Sequence, residues 1–139
     1  MPVGTPLSQL LEFCGGTTED IGKIISGGPM MGFALPNSDA PATKTTSGFV
    51  FMSPSEVVDT TEAPCLRCGR CVDACPMNLL PTFIAVNIKN AEYEAAMKLG
   101  VLDCIECGSC GYVCPSHIQL VQWIKIGKIE VNKLKLKDK

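Results

Sequence analysis

Aromatic side chains are scarce in this 139-residue chain, which holds one tryptophan, two tyrosines and five phenylalanines. That scarcity excludes a large aromatic core. With 13 glycines and 10 prolines the chain favours small, turn-rich units. Units of that size often rely on a disulfide or a metal to hold them together. No apolar run is long enough to span a bilayer, and the first residues lack the basic-then-apolar order of a signal peptide. The chain therefore reads as cytosolic, or as a soluble piece of something larger. Basic charge is also scarce over most of its length. Residues 1–117 carry six Lys/Arg against twelve Asp/Glu, a net of −6, whereas residues 118–139 carry six Lys against two acids, a net of +4. A nucleic-acid-binding body would present a basic, aromatic-bearing surface, and this one has neither. No nucleophile–base pair and no flavin motif argues for a redox enzyme with its own substrate site. "GGPMMG" (27–32) lacks the G-x-x-x-x-G-K-[ST] form of a phosphate loop, and no lysine follows it closely. It reads as a tight turn needing positive φ or close backbone approach, with Met30 and Met31 as an alternative apolar contact.

Cysteine is what the chain has in excess. Eight of nine fall in two copies of one phrase, "CLRCGRCVDACP" (65–76) and "CIECGSCGYVCP" (104–115). Clustered cysteines in a reducing compartment are metal ligands more often than disulfides. An iron–sulfur cubane takes four soft thiolates, one per iron, around one small body. Thiolates at i, i+3 and i+6 meet that need when the backbone coils around the cluster. Gly69 and Gly108, each directly after the second cysteine, allow such a coil. In two-cluster ferredoxins the fourth cysteine ligates the other cluster. The expected sets are therefore Cys65, Cys68, Cys71 and Cys114 for one [4Fe–4S] cluster, and Cys104, Cys107, Cys110 and Cys75 for the other. Neighbouring clusters pass electrons, so two copies make a wire. The competing reading is a pair of structural zinc sites in a docking module. Zinc sites more often show paired C-x2-C knuckles without this x2, x2, x3-C-P run.

The 28 residues between the motifs, Pro76 to Asp103, read as two helices, "PTFIAVNIKN" and "AEYEAAMKLG". Pro81 starts the first, Asn90 caps the second and Gly100 ends it. This link resembles the α-helical ferredoxin type rather than the compact bacterial one. The wording of "CLRCGRCVDACPMNLLP", "DCIECGSCGYVCPSHIQLVQWIK" and "GGPMMGFALP" strongly resembles the C subunit of the Rnf electron-transport complex, over about Val3 to Lys128. That resemblance implies a soluble-ligand-binding β-grasp domain over residues 1–52, then the two-cluster module over 53–128, with a basic tail over 129–139. It implies a peripheral place on the cytoplasmic side of the inner membrane, held through other Rnf subunits, and a redox partner that is a ferredoxin or a flavin domain. NADH and FMN binding would lie in a preceding region of the parent protein, so the chain looks like a carboxy-terminal fragment. A cobalamin-reductase-like flavoprotein of the same architecture is the nearest alternative.

Local signals complete an α+β expectation. "TPLSQLLEFCGG" reads as a helix capped by Thr5, with Pro6 as its first residue and Gly15 at its end. "KIIS" and "FVFM" read as strands, and "PNSDAPATKTTSG" as loop. "SPSE" (53–56) and "SHIQ" (116–119) read as capping boxes, the first opening a short helix and the second a helix through about Lys125. "KIEVNKLKLKDK" alternates like an edge strand or a frayed tail. Cys14 is expected in the apolar stripe of the first helix with Leu10 and Leu11. His117 is expected at a helix start or on the surface. Trp123 and Ile124, among lysines, pack on their own domain or rest on an anionic membrane. Arg67 and Arg70 stand where the second motif has Glu106 and Ser109. They raise the first cluster's potential if they face it and do little if they face water.

Overall fold

The computed structural model describes residues 2–57 and 61–137. The chain divides into two compact units, Met1–Asp59 and Thr60–Lys139. The class is α+β: a small antiparallel sheet with one helix in the first unit, and helices alone in the second.

In the first unit, α1 (Leu7–Phe13) precedes β1 (Lys23–Ser26), β2 (Phe33–Leu35) and β3 (Phe49–Met52). The sheet order is β2-β1-β3, with Ile24 opposite both Leu35 and Phe51. Successive strand residues face opposite ways, so burial of both Ile24 and Ile25 shows that the central strand is covered on both faces. The turn between β1 and β2 depends on glycine. Gly27 has φ +95°, and a Cβ on Gly32 would stand 2.5 Å from the Ser26 carbonyl oxygen. Met30 and Met31 are exposed on this turn.

Several local expectations change here. Thr5 does not cap α1; its hydroxyl donates to the Pro2 carbonyl at 2.8 Å, and Pro6 is itself the N-cap residue. Cys14 is exposed rather than packed, because only Leu7 of α1 is buried. "SPSE" forms a turn at 54–56, not a helix. The Ser53 amide still donates to the Glu56 carboxylate at 2.8 Å, as a capping box would. Residues 58–60, where such a helix would continue, lie outside the described residues.

The second unit holds α2 (Arg70–Asp73), α3 (Pro81–Lys89), α4 (Tyr93–Lys98), a 3-10 turn (Val101–Asp103), α5 (Ser109–Tyr112) and α6 (Leu120–Lys137). Pro81 opens α3 with its ring where no amide is needed. Pro81, Ile84, Ala85 and Ile88 form its buried stripe at helical spacing. Asn90 ends α3 instead of capping α4, whose N-cap is Glu92. Gly100, at φ +77°, terminates α4 as expected.

Helix α6 corrects the reading of the tail. It starts at Leu120 and runs to Lys137, well beyond Lys125, so "KIEVNKLKLK" is helical. Within that stretch Val131 is buried, continuing the helical stripe of Leu120, Val121 and Ile124. Ser116 does not cap this helix; its hydroxyl donates to the Pro64 carbonyl at 2.9 Å. Trp123 is half-buried and packs on both core clusters, one around Ile84, Ile88 and Val131 and the other around Ala85, Leu120 and Val121. Lys89 lies over its ring, 5.0 Å from the centroid. The tryptophan thus packs within its own unit, as one of the two readings expects.

Gly127 sets the distance between α3 and α6. A Cβ there would fall 2.2 Å from Ile88 Cδ1, and Ile88 is buried. Gly127→Ala is expected to destabilise this unit by roughly 1–2 kcal/mol, since overpacking outweighs the helix propensity gained. Urea unfolding followed at Trp123, the sole tryptophan, measures this unit alone. An unchanged midpoint would mean that Ile88 moves aside freely.

Candidate metal centre

The two cysteine phrases fold as one backbone motif used twice, 39 residues apart. Arg67 (φ +55°) matches Glu106 (φ +58°), Gly69 (φ +79°) matches Gly108 (φ +88°), and Asn78 (φ +51°) matches His117 (φ +49°). Left-handed backbone at non-glycine residues is uncommon and persists where the surroundings impose it. Its repetition at the same places reflects the coil that each phrase makes. In each copy the second residue after the first cysteine turns its amide back onto that sulfur. Arg67 N–H donates to Cys65 Sγ at 3.4 Å, and Glu106 N–H to Cys104 Sγ at 3.3 Å. Gly69 and Gly108 are the N-cap residues of α2 and α5, which carry the third cysteine of each copy.

Two cavities sort the eight cysteines. The first, about 680 Å³, is lined by Cys65, Cys68, Cys71 and Cys114. Among the described residues, Arg67 and Arg70 are its only charged lining residues, and Leu66, Phe83 and Val86 form much of its apolar wall. The second is lined by Cys75, Cys104, Cys107 and Cys110, around a gap of only about 20 Å³. Each cavity thus takes three cysteines of one phrase and the fourth of the other. Among the described residues, no three Cys, His, Asp or Glu side chains converge on a point that would hold a single ion. What each set of four shares is a volume. Four thiols around one volume are the donor set that an iron–sulfur cluster takes, so the residues fit the group in chemistry. The second gap is much the smaller of the two.

The two sets differ in environment. Cys65 and Cys68 are exposed, whereas Cys110 is buried against Ala85, Ile118, Leu120 and Val121. Burial, with Cys104 nearby, pushes the Cys110 thiol up to about 11. Cys104 is also raised by burial, opposed by the Glu106 amide and by Lys128. Cys107 is lowered, chiefly by the Ser109 hydroxyl 3.5 Å from its sulfur. Thr82 supplies a further hydroxyl, 3.0 Å from Cys71 Sγ, and Leu79 N–H donates to Cys75 Sγ at 3.4 Å. His117 is exposed in a turn and lines neither cavity.

Sequence reasoning passed over Thr82 and Lys128. Lys128 Nζ donates to the Cys104 carbonyl at 2.6 Å and to Glu106 Oε1 at 2.7 Å. The signal for it was available only once the tail was read as helix, which puts Lys128 one turn beyond the buried Ile124.

Comparison with known proteins follows the same division. Residues 57–115 match the family model described as a 4Fe-4S dicluster domain, and residues 1–34 match the SLBB domain. The chain is 46% identical over 129 residues to the C subunit of the proton-translocating ferredoxin:NAD(+) oxidoreductase complex of Clostridium ljungdahlii, covering 92% of this chain and 28% of that protein. It is 40% identical over 126 residues to the C subunit of the ion-translocating oxidoreductase complex of Rhodobacter capsulatus, covering 91% and 24%. The like-named protein of Methanosarcina acetivorans is 40% identical over 128 residues, covering 92% and 29%. The chain therefore spans about a quarter of the length of these curated relatives. Among the described residues, no helix is long and apolar enough to cross a membrane.

Thiol reactivity in the reduced, metal-free chain checks the two environments. The thiolate is the nucleophile, so at pH 8 Cys107 is expected to react with iodoacetamide early and Cys110 last. The Cys110 rate should climb as pH rises through 11, and Ser109→Ala should slow Cys107. Mass-spectrometric mapping of alkylation against time reads this directly. Equal rates at the two positions would contradict the assigned environments.

Proposed function

We propose that the chain, as a member of the family formed by the C subunits of ion-translocating oxidoreductase complexes, relays single electrons through two [4Fe–4S] clusters within such a complex. Cys65, Cys68, Cys71 and Cys114 hold the first, and Cys104, Cys107, Cys110 and Cys75 hold the second. The observation that carries this reading is the crossed lining of the two cavities, which supports the ligand sets expected from the cysteine spacing.

A bound [4Fe–4S] cluster supplies reversible one-electron storage. The residues of this chain do the rest. Eight thiolates fix the two positions. The amides of Arg67, Glu106 and Leu79 donate to ligand sulfurs, and Thr82 and Ser109 place hydroxyls against two more. Hydrogen bonds to cluster sulfurs stabilise the more reduced, more negative state. Helices α3 and α6 line the second set and bury its Cys110, while Cys65 and Cys68 of the first stay open to a partner. Because each fourth cysteine belongs to the other phrase, neither site is complete without both, and the clusters are held as neighbours.

On this reading the module is a conductor with no substrate site of its own. The NADH and FMN chemistry belongs to a preceding region of the longer parent protein, and residues 1–52 form a soluble-ligand-binding β-grasp domain. The redox partner at the open first set is a flavin domain or a ferredoxin. The assembly places the segment at the cytoplasmic face of the membrane, attached through the other subunits.

Metal analysis of anaerobically purified protein tests the reading. About eight iron and eight acid-labile sulfide per chain are expected. About two zinc and no sulfide would instead make the module a zinc-stabilised docking unit. Paired substitutions test the crossing. Cys65→Ser with Cys114→Ser should remove one cluster and leave about four iron, whereas Cys65→Ser with Cys75→Ser should remove both. The reverse pattern would show that each phrase holds its own cluster.

A further inference from the structure

Lys128 stands apart from the other cations of its helix. It lies on α6, directly after the glycine that lets α6 close onto Ile88. Its ammonium reaches the second cysteine phrase from 22 to 24 residues away and donates to two groups there, the Cys104 carbonyl and the Glu106 carboxylate. The pair is sheltered: the side chains are 20% and 30% exposed. Charges in such a place are screened much less by salt than exposed ones. Glu106 is also the residue whose amide donates to Cys104 Sγ. Lys128 therefore grips both ends of the short segment that presents this sulfur, the carbonyl of Cys104 and the side chain of Glu106. The first phrase has the same backbone and the same amide-to-sulfur contact, yet Arg67, at the matching position, is exposed.

We infer that Lys128 is a positioning and tuning residue for the second cluster. It holds the Cys104–Glu106 segment in the shape that aims the Glu106 amide at sulfur, and it cancels the carboxylate charge beside the site. The inference rests on the two-cluster reading above. Reduction adds negative charge to a cluster, so an uncompensated carboxylate nearby opposes it and an uncompensated ammonium favours it.

The signs make the test specific. In the full chain with both clusters in place, Lys128→Met should lower the midpoint potential of the second cluster, and Glu106→Gln should raise it. The double variant should return close to the parent value, and Lys128→Arg should stay close to it. Each single change is expected to alter the ratio of reduced to oxidised second cluster by on the order of tenfold at a fixed applied potential, with the first cluster unmoved. EPR-monitored redox titration reads both clusters, and the second is the one whose signal survives Cys65→Ser. Parent protein with about eight iron and two reducible signals establishes the two-cluster reading independently of the variants. Given that, silence in both single variants, or shifts of the same sign in both, overturns the tuning role. Should Lys128→Met fail to hold its cluster, Glu106→Gln decides alone: an upward shift supports the inference and no shift overturns it.

Discussion

The contact of Gly127 with Ile88 is the one on which the second unit depends. Helix α3 is short and α6 is long, and each buries much of its stripe against the other. Their closeness joins two cores that share Trp123, one beneath α4 and the 3-10 turn and one beneath the cysteine phrases. It also decides what the next residue can reach. A residue with a Cβ at 127 would push α6 away from α3, and Lys128 would leave the Cys104 carbonyl with it. A packing contact in the core and a charge contact at the site are thus consequences of one missing methyl group.

The second unit repeats a backbone without repeating an environment. Residues 67, 69 and 78 share unusual dihedrals with 106, 108 and 117, so the coil around each first sulfur is the same. What surrounds the coils differs. The first opens onto a wide, mainly apolar cavity with two exposed arginines, and the second closes on a small gap backed by Val121 and Ile124 of α6, with Cys110 in the core. Metal binding contributes to the folding of such sites in proportion to how little else holds them. The phrase at 65–76 has few buried contacts of its own, and the one at 104–115 is held by hydrophobic packing as well. On the two-cluster reading the two sites would thus lean on metal to different extents, although their thiol sets are alike.

Legibility from sequence followed the reach of each interaction. The strands at 23–26 and 49–52, the Pro81 helix start, the Gly100 stop and the glycine turn at 27–32 are set by neighbours in the chain, and each was readable. The cysteine spacing was readable for the same reason, since a coil around one body imposes a local period. Caps failed where a side chain found a distant or opposite partner: Ser116 turns to the Pro64 carbonyl and Thr5 to Pro2. The tail failed because a period of two and a period of 3.6 agree over a few residues, and burial of Val131 is what separates them. Cys14 failed because the helix it follows buries a single residue, so a stripe in the sequence had no surface to meet.

Charge near the clusters shows the same limit more sharply. Counting residues within each phrase puts two arginines beside the first site and a glutamate beside the second, which favours the first as the easier to reduce. Burial changes that count. Arg67 and Arg70 are exposed, where screening and motion reduce a charge's effect. Glu106 is sheltered and bridged by a lysine that belongs to no cysteine phrase. The charge that acts on the second site is then that of the pair, close to zero, and not that of the carboxylate. On the two-cluster reading, spacing within one phrase brings together three of each site's four thiols because they are local; the fourth, and what surrounds the site, come from elsewhere in the chain. In this unit the helix that buries Cys110 also carries the lysine that pairs with Glu106, so on the two-cluster reading the packing of α6 and the charge beside the second site are one structural variable.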